Sequence, residues 1–258
     1  MTDRTDFKKT VDSYRAKQGQ LHLVDVPDLQ YLMIDGHGDP NTSPAFGEGV
    51  RALYPVAYSL KFASKRDLGR DYVVPPLEGL WWAEDMESFT GARDKSRWDW
   101  TLMIMVPNWL DGRAFDAALE RAAAKNRPTR LGDIRLGSLS EGLCVQTLHV
   151  GSFDAESDLL ARMHHEFIPD HGLRLGGKHH EIYLSDSRKV APERLRTILR
   201  QPVVGVAPSP DQPREAAAGS RARPSAGGTP AGTRAAKASG SATGQPGSAS
   251  SRRHTSTG

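Results

Sequence analysis

A chain of 258 residues, 38% hydrophobic and 25% charged, has enough apolar side chain for one or two packed domains. No run approaches the ~20 consecutive apolar residues of a membrane-spanning helix, the polar start 1–20 lacks the apolar core of a secretion signal, and the single cysteine, Cys144, excludes an intrachain disulfide framework, so no membrane contact and a cytoplasmic location are expected. The net charge of +3 resides in the tail: from Val204 onward seven Lys/Arg face Asp211 and Glu215, a balance of +5, which leaves residues 1–203 at −2 and predicts no specific nucleic-acid partner.

Residues 1–19 read as an N-terminal extension. The apolar spacing then alternates between two periods. Strands are predicted over 21–26 and 31–35, divided by the Pro27-Asp28 turn. Ser43 or Thr42 caps a helix with Pro44 in its first turn, and Phe46, Val50, Leu53, Ala57 and Leu60 recur at helical spacing to about residue 64. Short strands follow over 72–74 and 78–82, separated by Pro75-Pro76, and a longer one over 99–106 places Thr101, Met103 and Met105 on one face. Asp111 caps a helix over 114–125. A basic, Pro-containing loop leads to a strand over 143–150, a helix over 154–171, a strand over 180–184, a short helix or turn over 192–199 and a final extended segment, 200–203. The remainder, 204–258, is built from Ala, Gly, Ser, Pro, Thr and Arg and cannot bury enough apolar surface to order itself, so a disordered tail is expected.

Residues 20–110 and 111–203 each read as strand, helix, strand, strand, which suggests an internal duplication. The expected fold is α+β: two such modules with antiparallel sheet, related by a pseudo-twofold, within one domain over 20–203 and with a ligand cleft between them.

Alternation along the strand near 181 puts His179, Glu181 and Tyr183 on one face and His180, Ile182 and Leu184 on the other. The apolar pair Ile182 and Leu184 is expected to face the helices, leaving Glu181 on the cleft side, where partial desolvation suits a carboxylate to binding a cation or handling a proton. Glu78 occupies a comparable place in the first module, so the two carboxylates are expected to face each other across the cleft. All five tryptophans fall between residues 81 and 109. Trp81, Trp98 and Trp100, with Tyr54, Tyr58 and Tyr72, make candidates for the wall of a flat hydrophobic site, and His149 joins them as a ligand contact. The pairs His164-His165 and His179-His180 point apart along their own elements, which argues against a metal. Gly36-His37-Gly38 lacks the later glycine of a dinucleotide fingerprint, and Cys144 has no activating neighbour.

Five segments taken together carry a family resemblance: PDLQYLMIDGHGDP (27–40), LYPVAYSLK (53–61), PLEGLW (76–81), GLCVQTLHVG (142–151) and HHEIYLSDSRKVAPERLRTIL (179–199). In these the chain resembles the GyrI-like small-molecule-binding proteins, over nearly all of 20–203. The resemblance implies paired strand-helix-strand-strand modules and a cleft glutamate, here Glu181. The segment before the first strand is too short for the DNA-reading domain of the family's transcription regulators. LYPVAYSLK, PLEGLW and HHEIYLSDSRKVAPE look most like a stand-alone branch of cyclopropanoid cyclopropyl hydrolases. That branch opens the strained ring of yatakemycin-type DNA-alkylating antibiotics with water, in detoxification or self-resistance. The likeness implies Glu181 as the group that activates water, Tyr54 or Tyr72 as its assistant, tryptophans stacking on a hydrophobic aromatic small molecule, and no metal or organic cofactor. Two alternatives are a protein that sequesters hydrophobic or cationic small molecules without transforming them, and a gyrase-inhibitor type of interaction module.

Overall fold

The computed structural model describes residues 4–84 and 94–206. Nine strands occur among them: β1 (His22–Val26), β2 (Leu29–His37), β3 (Leu77–Trp82), β4 (Asp99–Val106), β5 (Arg135–Leu139), β6 (Gly142–Val150), β7 (Leu173–Leu175), β8 (His179–Tyr183) and β9 (Arg196–Gly205). Eight form one antiparallel sheet in the order β1-β6-β9-β8-β3-β4-β2-β5, and β7 pairs with β9. Outward from the central β3–β8 seam run β3, β4, β2 and β5 on one side and β8, β9, β6 and β1 on the other. This is the mixed helix and antiparallel-sheet, α+β architecture expected from the alternating periods.

One face of the sheet carries the long helices. α1 (Phe7–Thr10) is a single turn, whereas α2 (Pro44–Asp67) and α3 (Gly112–Asn126) lie over the β3-β4-β2 half. α2 begins with Pro44 at its first turn, although the Ser43 side chain makes no capping bond. Leu53, Val56 and Leu60 present a stripe of zero exposure to Leu32, Ile34, Leu102 and Ile104. Burying each such leucine contributes about 1.5–3 kcal/mol. Asp111 caps α3 as expected, its Oδ1 accepting from Ala114 N at 2.9 Å. Over the β6-β9 half, the predicted single helix is instead a composite: a 3-10 turn (Phe153–Glu156), α4 (Ser157–Arg162), a π turn (Met163–Phe167) and α5 (Ile168–Asp170). Met163 and Ile168 pack on Val145, Leu199 and Val203.

The opposite face is covered by the N-terminal segment. Tyr14 joins Tyr31, Met33, Leu80, Met103, Ile182 and Ile198 in a second core, with Val11 and Ala16 against it. Ile182 and Leu184 therefore point away from the long helices, contrary to expectation. Both helical layers share the Glu181 face, and the cleft lies between them rather than on a helix-free side.

Other expectations change in detail. Tyr72 belongs to no strand and makes only an isolated bridge with Thr5. The segment read as a loop before residue 143 contains β5, and the final strand begins at Arg196, four residues early. Val204 and Gly205, assigned to the tail, complete β9, and residues 207–258 lie outside the described residues.

Gly36 permits a close approach on the helix face. A Cβ there would lie 2.0 Å from the ring of Trp100, its register partner in β4, whose side chain has zero exposure. Gly36→Ala is expected to cost about 1–3 kcal/mol through overpacking, read as a lowered melting temperature.

Candidate functional site

Between α2 and the 3-10 turn Phe153–Glu156 the helix face of the sheet is left open, and a cleft of about 590 Å³ lies over the β3–β8 seam. Residues at every fourth position of α2, Phe46, Val50, Tyr54 and Tyr58, form one wall. Phe46 stacks on Trp81 with centroids 6.1 Å apart, and Trp81 meets Trp98 edge to face at 5.8 Å. On the other side Phe153 stands edge to face with Tyr183 at 5.7 Å. The rim carries Lys8, Arg51, Lys95, Asp186 and Arg188.

Glu181 forms part of the lining, on β8, and is 7% exposed. The Tyr183 hydroxyl accepts from Trp81 Nε1 at 3.1 Å and hydrogen-bonds the Glu181 carboxylate. Burial, then the Glu181 and Glu156 carboxylates, push the Tyr183 phenol well up, so it stays protonated and donates to the carboxylate. Burial also raises Tyr54, which remains a neutral donor. The result is a directed chain, Trp81 N–H to Tyr183 O–H to Glu181, ending on a nearly dry carboxylate among aromatic rings.

Room for that chain comes from Gly79, the register partner of Glu181 across the seam. A Cβ there would lie 2.8 Å from Trp81 Nε1 and 3.1 Å from the Tyr183 hydroxyl. Gly79→Ala is expected to separate the two and misplace the carboxylate, while leaving the helix cores in place. The check is the tryptophan fluorescence of the variant, expected to change against an unchanged melting curve as Trp81 loses its tyrosine partner.

The sequence-derived candidates divide cleanly. Glu181, Tyr54, Tyr58, Trp81, Trp98 and Tyr183 line the cleft together. Trp100 does not: it sits behind Phe46, its Nε1 donating to Gly38 O. Tyr72 is 1% exposed and packed between Phe7 and Trp109, away from the cleft. His149 is buried against the Ser152 carbonyl at 2.9 Å. Glu78 pairs in register with Ile182, one residue off Glu181, and a one-residue offset reverses the face. Its carboxylate lies on the opposite side of the sheet, held by the Tyr14 hydroxyl and His180, so no Glu78–Glu181 pair spans the cleft.

Phe46, Phe153 and Glu156 are cleft residues that the sequence reading did not single out. The four-residue recurrence 46-50-54-58 is a signal that would have found the first of them. Glu156 is a second carboxylate of the lining, 4% exposed, hidden in what read as the start of a helix.

The chain matches the GyrI-like small molecule binding domain over residues 20–204. It belongs to that family. Among solved structures, an uncharacterized conserved protein from Listeria innocua is 38% identical to this GyrI-like chain, with a TM-score of 0.71, covering 78% of this chain and 100% of that one. Two structures of hydrolases from Listeria innocua are each 36% identical, with TM-scores of 0.70 and 0.68 and the same coverage. No curated protein matches significantly. Among the described residues of the GyrI-like domain, no helix is long and apolar enough to cross a membrane.

Proposed function

We propose that this GyrI-like protein is a hydrolase that adds water across the strained cyclopropane of yatakemycin-type aromatic antibiotics, as a detoxification or self-resistance enzyme. One observation carries the reading: a nearly dry carboxylate, Glu181, held by a protonated tyrosine inside an aromatic cleft large enough for a planar guest. The hydrolase names of relatives at 36% identity support it.

The cyclopropane of such substrates is conjugated to a dienone. Trp81, Trp98, Phe46 and Tyr54 stack on the flat body and hold the ring toward Glu181. Water oxygen bonds to the ring methylene as the methylene–ring carbon bond breaks, and that electron pair moves into the dienone to give a phenolate. Glu181 takes one proton from the water. The phenolate oxygen, steadied by the Tyr54 hydroxyl, is protonated from solvent, and Glu181 releases its proton to solvent. The net change is addition of one water. Tyr72, packed in the core, has no part in this.

A second reading is favoured by Glu156. Two buried carboxylates in one aromatic cleft suit a hydrophobic cation that is bound and sequestered unchanged. Incubating a cyclopropane alkylator with one-hundredth its concentration of protein separates the two by mass spectrometry. The hydrolase is expected to convert all of the compound to its water adduct. Recovery of intact compound beyond one equivalent rejects hydrolysis in favour of sequestration.

A further inference from the structure

A segment folded on the far side of the sheet reaches round to the cleft. Residues 4–19 precede the part of the chain matched by the GyrI-like family model, and their Tyr14 lies in the core opposite the long helices. Lys8 nevertheless lines the cleft. Upstream of it, Thr5 N donates to the Asp71 carbonyl at 3.0 Å and the Thr5 carbonyl accepts from Val73 N at 2.8 Å. Phe7 packs on Tyr72 and Trp109 with centroids 6.2 and 6.0 Å apart, and Lys8 N donates to Asp6 Oδ1 at 3.2 Å. Downstream, the Ser13 carbonyl accepts from Arg200 at 2.6 Å. The segment is therefore anchored on both sides of Lys8, while the lysine itself is exposed.

The cations of the rim are of two kinds. Lys95 pairs with Asp154 at 3.2 Å and Arg188 with Asp186 at 2.9 Å. Asp6, the acid nearest Lys8 in sequence, is turned to Lys9 at 4.0 Å, and among the described residues no carboxylate pairs with the side chain of Lys8 or of Arg51. These two stand at opposite ends of the cleft. Arg51 folds back along α2, its Nη1 3.3 Å from where a Gly47 Cβ would stand. Lys8 is tied to the other end, because Thr5 holds Asp71, whose carboxylate takes Lys61 Nζ at 2.7 Å one turn beyond Tyr58. From Gly47 to Tyr58 the helix rises about 16 Å. Glu181 lies between the ends: its partner Gly79 is midway along β3 from Leu77, beside the Pro75-Pro76 turn, to Trp81, against Phe46.

We propose that Lys8 is a further catalytic residue, whose ammonium bonds the dienone oxygen of the substrate and stabilises the phenolate that forms as the ring opens. The proposal rests on the hydrolase reading above. In a para-conjugated dienone the oxygen stands across the reacting ring from the methylene. With the flat body against Phe46, Trp81 and Trp98 and the methylene at Glu181, that oxygen is directed along α2 past Tyr54 to Lys8. As the methylene–ring carbon bond breaks, its electron pair puts a negative charge on the oxygen in a cleft already lined by Glu181 and Glu156. A cation at that point stabilises the transition state more than the neutral substrate. Lys8 transfers no proton: the phenolate is protonated from solvent, and the net change is still addition of one water.

The test is an absorbance titration of 4-nitro-1-naphthol, a planar phenol whose colour reports its ionisation, bound to the full chain. Lys8→Met, which keeps the length and removes the charge, is expected to raise the bound midpoint by about one pH unit. Lys8→Arg, which keeps the charge, is expected to stay within about half a unit of wild type. Lys9→Met, one residue on and outside the cleft lining, is expected to leave it in place. The charged groups that face the probe, Glu181, Glu156, Asp186, Arg188, Arg51 and Lys95, are the same in every variant. On a cyclopropane alkylator, Lys8→Met is expected to lower kcat by a factor on the order of 10–10² with KM unchanged. An unchanged midpoint in Lys8→Met, or an equal rise in Lys9→Met, overturns the proposal. The titration needs no turnover, so the two readings fail separately. A shifted midpoint without ring opening rejects the hydrolase and keeps Lys8 as a phenolate contact; ring opening without a shift rejects Lys8 and keeps the hydrolase.

Discussion

Glu181→Gln is expected to lower turnover of a cyclopropane alkylator by a factor on the order of 10²–10⁴, the usual contribution of a positioned general base. The same substitution is expected to leave the affinity for a neutral planar ligand within a few-fold. The substitution keeps the shape of the side chain and keeps an oxygen to accept from Tyr183, so the aromatic lining from Phe46 to Trp98 is undisturbed. What is removed is the capacity to accept a proton from water. Turnover is measured as water adduct per unit time and affinity by quenching of Trp81 and Trp98 fluorescence, so chemistry and binding are read separately. Sequestration of a cation predicts the opposite pattern, weaker binding of a cationic aromatic with no turnover to lose. Unchanged turnover in a folded Glu181→Gln removes the glutamate from the mechanism.

How much of this was legible beforehand follows from what periodicity encodes. α2 and α3 were readable because Pro44, the Asp111 cap and apolar residues at three- and four-residue spacing act locally. Glu181 was readable because alternation on a short strand separates it from Ile182. Register between distant strands has no local signal, and so Glu78 was assigned to the wrong face although it lies one residue from Gly79, the true partner of Glu181. β5 escaped notice because Arg135–Leu139 alternates weakly, with Gly137 and Ser138 in its middle; it is held by pairing with β2 and by Arg135 on Asp35 at 2.6 Å. The choice of which side of the sheet faces the long helices was set by the N-terminal segment, whose Tyr14 fills the opposite core without any apolar repeat to announce it. The aromatic residues could be counted but not sorted: Trp100 and Tyr72 went to the core and Trp81 and Trp98 to the cleft according to tertiary contacts alone.

The largest stability effect is expected opposite the cleft, where Glu78 and its partners form a buried charged network. His180 is fully buried between two carboxylates, Nε2 at 3.0 Å from Glu78 and Nδ1 at 3.0 Å from Glu141. Arg200, 1% exposed, donates to Glu141 at 2.9 Å, to Gln146 at 3.2 Å and to the Ser13 carbonyl at 2.6 Å, which ties the N-terminal segment to the sheet. Burial opposes ionisation of each group. It is outweighed at Glu141 by His180 and Arg200, which hold the carboxyl at about 2, and at His180 by Glu141 and Glu78, which raise the imidazole. The signs set the pH window. Glu141 stabilises the fold above its ordinary 4.5, and that stability is lost as pH falls from 4.5 toward 2. His180 stabilises it below its ordinary 6.5, and that stability is lost as pH rises through the raised folded value. The network's contribution is therefore greatest between about 4.5 and 6.5 and declines on both sides. Arg200→Met leaves Glu141 and the Ser13 carbonyl without their cation and is expected to cost about 3–5 kcal/mol in urea unfolding at pH 6. The Arg200→Met, Glu141→Leu double variant removes the stranded charge as well and is expected to recover part of that loss, since isolated buried charge is what costs most. Equal stability of Arg200→Met and wild type at pH 6 would show that the network contributes nothing to the fold.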